Sequence, residues 1–308
     1  MRKRLISKIA AAISGAACAL TVSASAGLTA FAAVDVVSRE YYELPGAGVG
    51  TAGIMEKDGR MFSYGNGETA VFSGIMSVGG ETYCYVEGCK WFGWKKIGDN
   101  WYYFDPADNG NMAKEKAQTA LGTYYFNESG AWDGRYTSKA KAPADFVFSL
   151  GVYSYGSWLT IDSGTGVLSN GESGIEGLSE GYFDRSIKAG VKDRQIIYDT
   201  LMSCGIDKIT APVTGAAVNP GAAVNTDITR YEVKFTAGGK SYSVDGDQAA
   251  FAKYGENKEV NDFAYVTAFL TEYVKSLPAY RETETAKLEA NQLQREANFI
   301  DPIIFINK

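Results

Sequence analysis

Apolar and polar residues alternate in four units of about 20 residues that together cover residues 53–134. Each unit contains a short aromatic strand between two turns with glycine. The aromatic strands lie at Met61–Tyr64, Thr82–Tyr85, Trp101–Phe104 and Thr123–Phe126. A period of two residues indicates β-strands, so each unit is predicted to be a β-hairpin. Because a lone hairpin leaves its apolar face uncovered, we expect the hairpins to stack as a short solenoid.

The pattern changes after residue 145 and predicts an α+β domain over residues 146–308. Alternation indicates strands, a Gly-Gly pair at 238–239 indicates a hairpin turn, and apolar residues three to four apart indicate helices. The expected elements are strands at 146–152, 158–161, 231–235 and 242–244, helices at 185–204, 263–277 and 281–297, and a closing strand at 299–306. The predicted fold class is therefore a β-hairpin repeat solenoid followed by a mainly antiparallel sheet with two or three helices.

The remaining segments are interpreted as a leader and two linkers. Residues 1–32 combine a basic start, an Ala-rich apolar stretch and an Ala-Phe-Ala site at 30–32, which is typical of a cleaved secretory signal peptide. An uncleaved membrane anchor is the alternative for this stretch. Residues 135–145 are interpreted as a linker because they are short of large apolar groups. Residues 33–52, with Pro45 and glycines at 46, 48 and 50, are interpreted as a second linker, part of which can add a strand. After signal cleavage we expect a secreted protein with no contact to the membrane.

The amino-acid composition excludes several kinds of catalytic and binding site. The chain contains no histidine, which excludes nucleophilic mechanisms with a histidine base and also histidine metal ligands. Catalysis by carboxylates stays open, but we can assign no catalytic pair and treat the enzyme class as undecided. The formal net charge is −6, so the chain lacks the basic surface that nucleic acids and anionic lipids require. We expect neutral or cationic partners, and no nucleic acid.

Two short motifs have weak support. Residues 177–181 read Gly-Leu-Ser-Glu-Gly, the pattern of a nucleophile elbow, but that motif needs a histidine base and is interpreted as a loop. Asp245, Asp247 and Glu256 have the spacing of a calcium loop, yet Ala249 and Ala250 occupy positions that need a ligand and a glycine. We therefore expect no metal and no cofactor.

Two other stretches leave alternatives open. Cys84 and Cys89 flank a predicted turn, so they are either a cross-strand disulfide in a secreted protein or two thiols on neighbouring strands. Residues 153–158 (YSYGSW) are rich in aromatic side chains, which favours a half-buried antiparallel strand and leaves a binding face as the alternative.

The third hairpin unit carries the most specific pattern. It reads Gly93-Trp94, then Trp-Tyr-Tyr-Phe at 101–104, then Gly110 and Met112. This pattern resembles the choline-binding-type cell-wall-binding repeats of Gram-positive surface proteins. The other units share its skeleton over residues 53–134 but lack both tryptophans, so the resemblance implies one intact site.

The resemblance also implies a ligand and a set of site residues. In that family, aromatic side chains of one hairpin and the next enclose the quaternary ammonium of choline on teichoic acids, and related repeats bind glucan. A trimethylammonium is attracted to the negative faces of aromatic rings. On this chain the implied ligand-binding residues are Trp94, Trp101, Met112 and a tyrosine of the fourth hairpin, either Tyr124 or Tyr125.

The resulting hypothesis is a protein attached non-covalently to a cell-wall polymer, choline-bearing teichoic acid or glucan, that displays its α+β domain at the cell surface. In one alternative the repeats are purely structural and the protein is an extracellular interaction module. In a second alternative the protein is a wall-targeted hydrolase. The sequence indicates no activity for the α+β domain.

Overall fold

The chain divides into two compact units, and each is described by itself. The first contains residues 1–139 and 251–261, and the second contains residues 140–250 and 262–308. The computed structural model describes residues 41–43, 52–57, 60–65, 68–78, 80–175, 178–215, 228–253, 255 and 257–304. The predicted signal peptide at 1–32 lies outside these described residues, as does most of the predicted linker at 33–52.

The first unit consists of short antiparallel sheets that follow one another along the chain. Its strands are β1 (Tyr41–Glu43), β2 (Ala52–Lys57), β3 (Arg60–Gly65), β4 (Glu68–Val71), β5 (Gly74–Val78), β6 (Glu81–Val86), β7 (Cys89–Lys90), β8 (Gly93–Ile97), β9 (Asn100–Asp105), β10 (Asn111–Met112), β11 (Lys116–Gln118), β12 (Gly122–Phe126) and β13 (Trp132–Ser138). They form four sheets, β1–β4, β5–β7, β8–β10 and β11–β13. The prediction of hairpin units is confirmed, and their stacking as a solenoid stays a prediction.

The turn residues explain why the hairpins close where they do. Glu87 and Gly88 join β6 to β7 with φ angles of 49° and 78°. A two-residue turn with both φ angles positive matches the right-handed twist of the two strands. Strand β13 continues to Ser138, so the first part of the predicted linker at 135–145 is strand.

The second unit is a six-stranded sheet with three helices. Its elements are β14 (Val147–Ser154), β15 (Ser157–Asp162), β16 (Val167–Glu172), β17 (Asp184–Ser186), β18 (Arg230–Ala237), β19 (Lys240–Asp247), α1 (Val191–Ser203), α2 (Lys258–Ser276, of which 258–261 belong to the first unit) and α3 (Pro278–Ile304). The strand order is β17-β16-β15-β14-β18-β19 and every pairing is antiparallel. The predicted antiparallel sheet with helices is confirmed.

One face of the six-stranded sheet forms the core of the second unit. Helices α1 and α2 cover it, and ring contacts join Phe146 to Tyr198 at 5.3 Å and Phe148 to Tyr273 at 5.9 Å. Each fully buried side chain of this kind contributes about 1.5–3 kcal/mol. The buried members include Phe148, Leu150, Val152, Leu159, Ile161, Leu168, Val233, Phe235, Ile197, Leu201, Phe263 and Leu270.

The predicted Gly-Gly turn joins β18 to β19. Gly238 and Gly239 have φ angles of 59° and 73°, and Ala237 pairs with Lys240 across them. The Asp145 carboxylate accepts hydrogen bonds from both glycine N–H groups, at 3.0 and 2.6 Å. These bonds stabilise the charged form and lower the pKa of Asp145.

The predicted closing strand at 299–306 is wrong for its described part. Residues 299–304 continue helix α3, which begins at Pro278, a residue suited to the first helical turn. Extending an existing helix adds a hydrogen bond for each residue except Pro302, which has no N–H, and needs no new nucleus, so the weak strand preference of the isoleucines is overridden. None of the described helices is long and apolar enough to cross a membrane.

Candidate functional site

The register of β8 and β9 places both predicted tryptophans on one face of the third hairpin. Trp94 pairs with Tyr103, and Lys96 pairs with Trp101. Directly opposed residues share a face, and so do residues two positions apart on a strand. Trp94, Trp101 and Tyr103 therefore point the same way, with the ammonium of Lys96 5.9 Å from the centre of the Trp101 ring.

The fourth hairpin presents a second set of rings. Tyr124 pairs with Tyr136, and Phe126 pairs with Trp132, across a register shift between Tyr124 and Phe126. Tyr125 lies between two members of this set and so belongs to the opposite face of β12.

The two sets meet in one aromatic cluster with Trp94 at its centre. The distances from the Trp94 ring centre are 6.5 Å to Trp101, 5.1 Å to Tyr103, 4.8 Å to Tyr124, 5.8 Å to Phe126 and 6.1 Å to Trp132. Tyr136 completes the cluster by stacking on Tyr124 at 5.5 Å with an interplanar angle of 10°. Most of these pairs are edge-to-face, the arrangement that aromatic quadrupoles favour.

The cluster is closed to solvent. Trp94 is 4% exposed, Trp101 1%, Tyr124 0% and Trp132 3%. Tyr136 is the one member of the cluster that keeps more than a trace of exposed surface. Burial raises the pKa of Tyr103, because the charged phenolate would lose its hydration there.

Two of the implied ligand residues lie outside the aromatic cluster. Tyr125 is half-buried on the other face, with the guanidinium carbon of Arg135 5.3 Å from its ring centre. Met112 lies against Gly130: a Cβ at that glycine would come within 2.5 Å of the Met112 Cε. The structure thus brings Trp94, Trp101 and Tyr124 together and places Tyr125 apart from them.

Sequence reasoning did not select four members of the cluster, namely Tyr103, Phe126, Trp132 and Tyr136. The sequence does contain a pattern that could have selected Trp132. Gly130-Ala131-Trp132 repeats the spacing of Gly110-Asn111-Met112 one unit earlier, so Trp132 holds the methionine position of its own repeat. Tyr136 lies in the stretch that the sequence suggests is a linker.

Met112 lines an open polar cleft of about 210 Å³ beside the third hairpin. Asn111 connects two hairpins there: its Oδ1 accepts from the Thr82 N–H at 3.0 Å, and its Nδ2 donates to Asp108 at 3.0 Å. The lining residues are Gly80, Asp105, Asp108, Asn111, Met112, Ala113, Lys114 and Lys116. Two carboxylates and two ammonium groups balance in charge, so the cleft has no strong preference for either sign.

Other aromatic faces of the array also hold ammonium groups. The Lys90 Nζ lies 4.2 Å from the Tyr83 ring centre, and the Lys95 Nζ lies 5.1 Å from the Trp91 ring centre. Both distances are within the range of a cation–π contact. A hydrogen bond from the Tyr83 hydroxyl to Glu81 raises the pKa of Tyr83 to about 12, with burial and the Glu81 charge adding to the shift.

Cys84 and Cys89 are both buried on the second hairpin. Val86 pairs with Cys89, so Cys84 lies diagonally across from Cys89 on the same face. The two sulfurs are not bonded to each other in the structure, and both alternatives, a disulfide and two thiols on neighbouring strands, stay predictions. Within the described ranges, no group of three or more Cys, Asp or Glu side chains could hold a metal ion.

Comparison with known proteins identifies the third hairpin. The family model described as a cell wall binding repeat, of the choline-binding type, matches residues 93–112. That stretch contains Trp94, Trp101 and Met112. No curated protein matches the chain.

Similar solved structures include choline binding protein F from Streptococcus pneumoniae, with 22% identity over 34% of this chain and 37% of that chain and a TM-score of 0.22. The choline binding domain of Spr1274 from Streptococcus pneumoniae has 25% identity over 27% of this chain and 96% of that one, with a TM-score of 0.21. The cell wall endolysin of phage Cp-1, solved with choline, has 18% identity over 46% of this chain and 36% of that one, with a TM-score of 0.22.

Scores this low do not establish a shared overall fold, and this chain spans little more than a third of choline binding protein F. The assignment therefore comes from the family match to the third hairpin. Residues 93–112 of this chain are a cell-wall-binding repeat of the choline-binding type.

Proposed function

We propose that residues 53–134 attach this protein non-covalently to a choline-bearing cell-wall polymer and display the α+β domain at the surface of a Gram-positive cell. The observation that carries this proposal is the family match at residues 93–112. Secretion through the signal peptide at 1–32 is part of the same proposal. Glucan is the alternative polymer, since a sugar ring can also stack on an indole.

The aromatic cluster supports a cation as the ligand. The ring centre of Trp94 lies 6.5 Å from that of Trp101 on the same hairpin and 4.8 Å from that of Tyr124 on the next hairpin. Three convergent rings suit a trimethylammonium, which needs no hydrogen-bond partner. The Lys96 ammonium beside Trp101 is a cation of this protein already placed at that ring.

Binding at these rings requires a local opening. Trp94 and Trp101 are almost fully buried, whereas Tyr136 is partly exposed and stacks on Tyr124. Rotation of Tyr136 would uncover the face of Tyr124 without breaking the third hairpin. Only the open form would bind choline, so the apparent affinity would be the affinity of the open form multiplied by the fraction of molecules that are open.

Burial of the same rings favours a second role. A cluster of seven aromatic side chains between two hairpins is the core that such short repeats otherwise lack. In this second candidate function the tryptophans hold the array together, and the protein acts as an extracellular interaction module.

Retention of the full chain on choline-agarose distinguishes the two roles. We expect the protein to bind and to elute with free choline. Trp101→Phe keeps most of the packing volume but has a weaker ring face, so retention should fall about threefold. Tyr85→Phe is the control, because Tyr85 is a buried aromatic side chain of the second hairpin whose ring packs against Phe72. Sedimentation with insoluble glucan, with and without free choline, separates the two polymers. Failure to bind either material would leave the structural role alone.

A further inference from the structure

The outer face of the six-stranded sheet carries two aromatic side chains side by side. Tyr153 on β14 pairs with Trp158 on β15, and Trp158 pairs in turn with Gly171 on β16. In the next row Gly151, Thr160 and Ser169 are opposed in the same order. All six residues share the face opposite to the apolar core, because Val152, Leu159 and Leu168 occupy the alternate positions.

Glycines beneath the rings allow them to lie over the sheet. A Cβ at Gly151 would come within 2.6 Å of the Tyr153 ring, and a Cβ at Gly171 would come within 2.3 Å of the Trp158 indole. The Trp158 Nε1 donates to the Ser169 Oγ at 3.0 Å, which orients the indole along β16. An edge-to-face contact with the buried ring of Phe183 at 6.1 Å also holds Trp158, so the indole is fixed before any ligand arrives.

The spacing of the rings follows from the sheet. Tyr153 lies over its own strand β14, whereas Trp158 leans from β15 over β16. Two strand spacings separate these positions, about 10 Å. Thr160 on β15 lies between them, so a hydroxyl stands between two aromatic surfaces.

This surface is exposed and its centre carries no charge. Tyr153 is 43% exposed, and Trp158 and Thr160 are each partly exposed. On β18 the Lys234 Nζ lies 2.6 Å from a Glu232 carboxylate oxygen, and Arg230 lies opposite Tyr153 at the edge of the uncharged centre. The ligand that complements aromatic rings and hydroxyls without net charge is neutral and rich in hydroxyl groups.

We propose that Tyr153, Thr160 and Trp158 form an aromatic platform that binds a neutral polysaccharide. The apolar C–H faces of two pyranose units, spaced by about 10 Å, would stack on Tyr153 and Trp158. The Thr160 hydroxyl would hydrogen-bond to the sugar between them. This site belongs to the second unit and is independent of the function proposed for the hairpins.

Sedimentation of the full chain with insoluble chitin and with cellulose, both neutral polysaccharides, tests this inference. Free choline at saturating concentration is present throughout, so that any site on the hairpins does not contribute. We expect the protein to sediment with at least one of the two. Tyr153→Ala removes one stacking face and should weaken binding about tenfold.

Two further variants distinguish a loss of binding from a loss of folding. Thr160→Arg leaves both rings in place and puts a bulky charge between them, so it should weaken sedimentation at least as much as Tyr153→Ala. Val191→Ala removes an 85% exposed apolar side chain from α1 and should bind like the unmodified protein. Far-ultraviolet circular dichroism checks that each variant is folded. Equal sedimentation of Tyr153→Ala, Thr160→Arg and the unmodified protein would overturn the proposal, as would absence of the unmodified protein from both pellets.

Discussion

Tyr124 and Tyr125 are chain neighbours on β12 that face in opposite directions, and their truncation should have very different effects. Tyr124 is 0% exposed and contacts the rings of Trp94, Trp132 and Tyr136. Tyr125 is half-buried, and its ring receives one cation–π contact from Arg135. The pair therefore compares a cluster side chain with an adjacent side chain of the same type.

The expected losses of unfolding free energy in Tyr124→Ala and Tyr125→Ala differ several-fold. Replacing a fully buried aromatic side chain by alanine costs about 3–5 kcal/mol of unfolding free energy, since both burial and cavity terms are lost. Part of this loss in Tyr124→Ala comes from three ring contacts of about 0.5–1.5 kcal/mol each. Tyr125→Ala removes one partly exposed contact and should lose about 1 kcal/mol.

Urea unfolding followed by near-ultraviolet circular dichroism measures both losses, because that signal reports on packed aromatic rings. Tyr124→Phe serves as the control that keeps the ring and removes only the hydroxyl, and it should lose no more than the about 0.5–1.5 kcal/mol of a single hydrogen bond. A loss for Tyr125→Ala equal to or greater than that for Tyr124→Ala would refute the assignment of Tyr124 to the cluster face.

Two other predictions concern charge. Under the proposed function, Lys96→Gln should tighten choline binding about threefold, because the Lys96 Nζ lies 5.9 Å from the Trp101 ring centre. A like charge at about that distance in water costs about 0.7 kcal/mol. Titration calorimetry at low salt measures this, with Lys95→Gln on the opposite face as the control, and equal changes in both variants would contradict it. The pKa of Tyr83, raised to about 12, means that the folded state holds this proton more tightly than the unfolded state. The stability it contributes is therefore full below pH ~10 and is lost as the pH rises toward ~12. Alkaline unfolding of Tyr83→Phe should lack this component, and unfolding curves that superimpose on those of the unmodified protein between pH 10 and 12 would count against the Glu81 contact.

Several features of the fold could be predicted from local sequence patterns. Aromatic alternation predicted the hairpins of the first unit, and the Gly-Gly pair at 238–239 predicted the turn between β18 and β19. These predictions succeed because side-chain alternation and turn geometry depend on residues close together in the chain. The same reasoning gave a wrong prediction for residues 299–304, because the isoleucines of this segment continue a long helix that begins at Pro278.

The candidate site was harder to predict from the sequence, because it depends on contacts between residues far apart in the chain. A period-two pattern cannot choose between Tyr124 and Tyr125, because either one could face the preceding hairpin. The register shift between Tyr124 and Phe126 then sets Trp132 opposite Phe126. Such a shift changes which side chains are opposed, and the alternation of apolar and polar residues in the sequence does not reveal it.

By itself the sequence determined that aromatic hairpins precede an α+β domain, that one hairpin carries the Trp94 and Trp101 pattern, and that histidine chemistry is excluded. Only the tertiary structure decided that Trp94 is the centre of a closed cluster and that Tyr153 and Trp158 lie over glycines on an open sheet face. The physical reason is that alternation assigns each side chain to one face of its own strand. Which faces meet, and which stay open to solvent, is decided by packing between segments far apart in the chain.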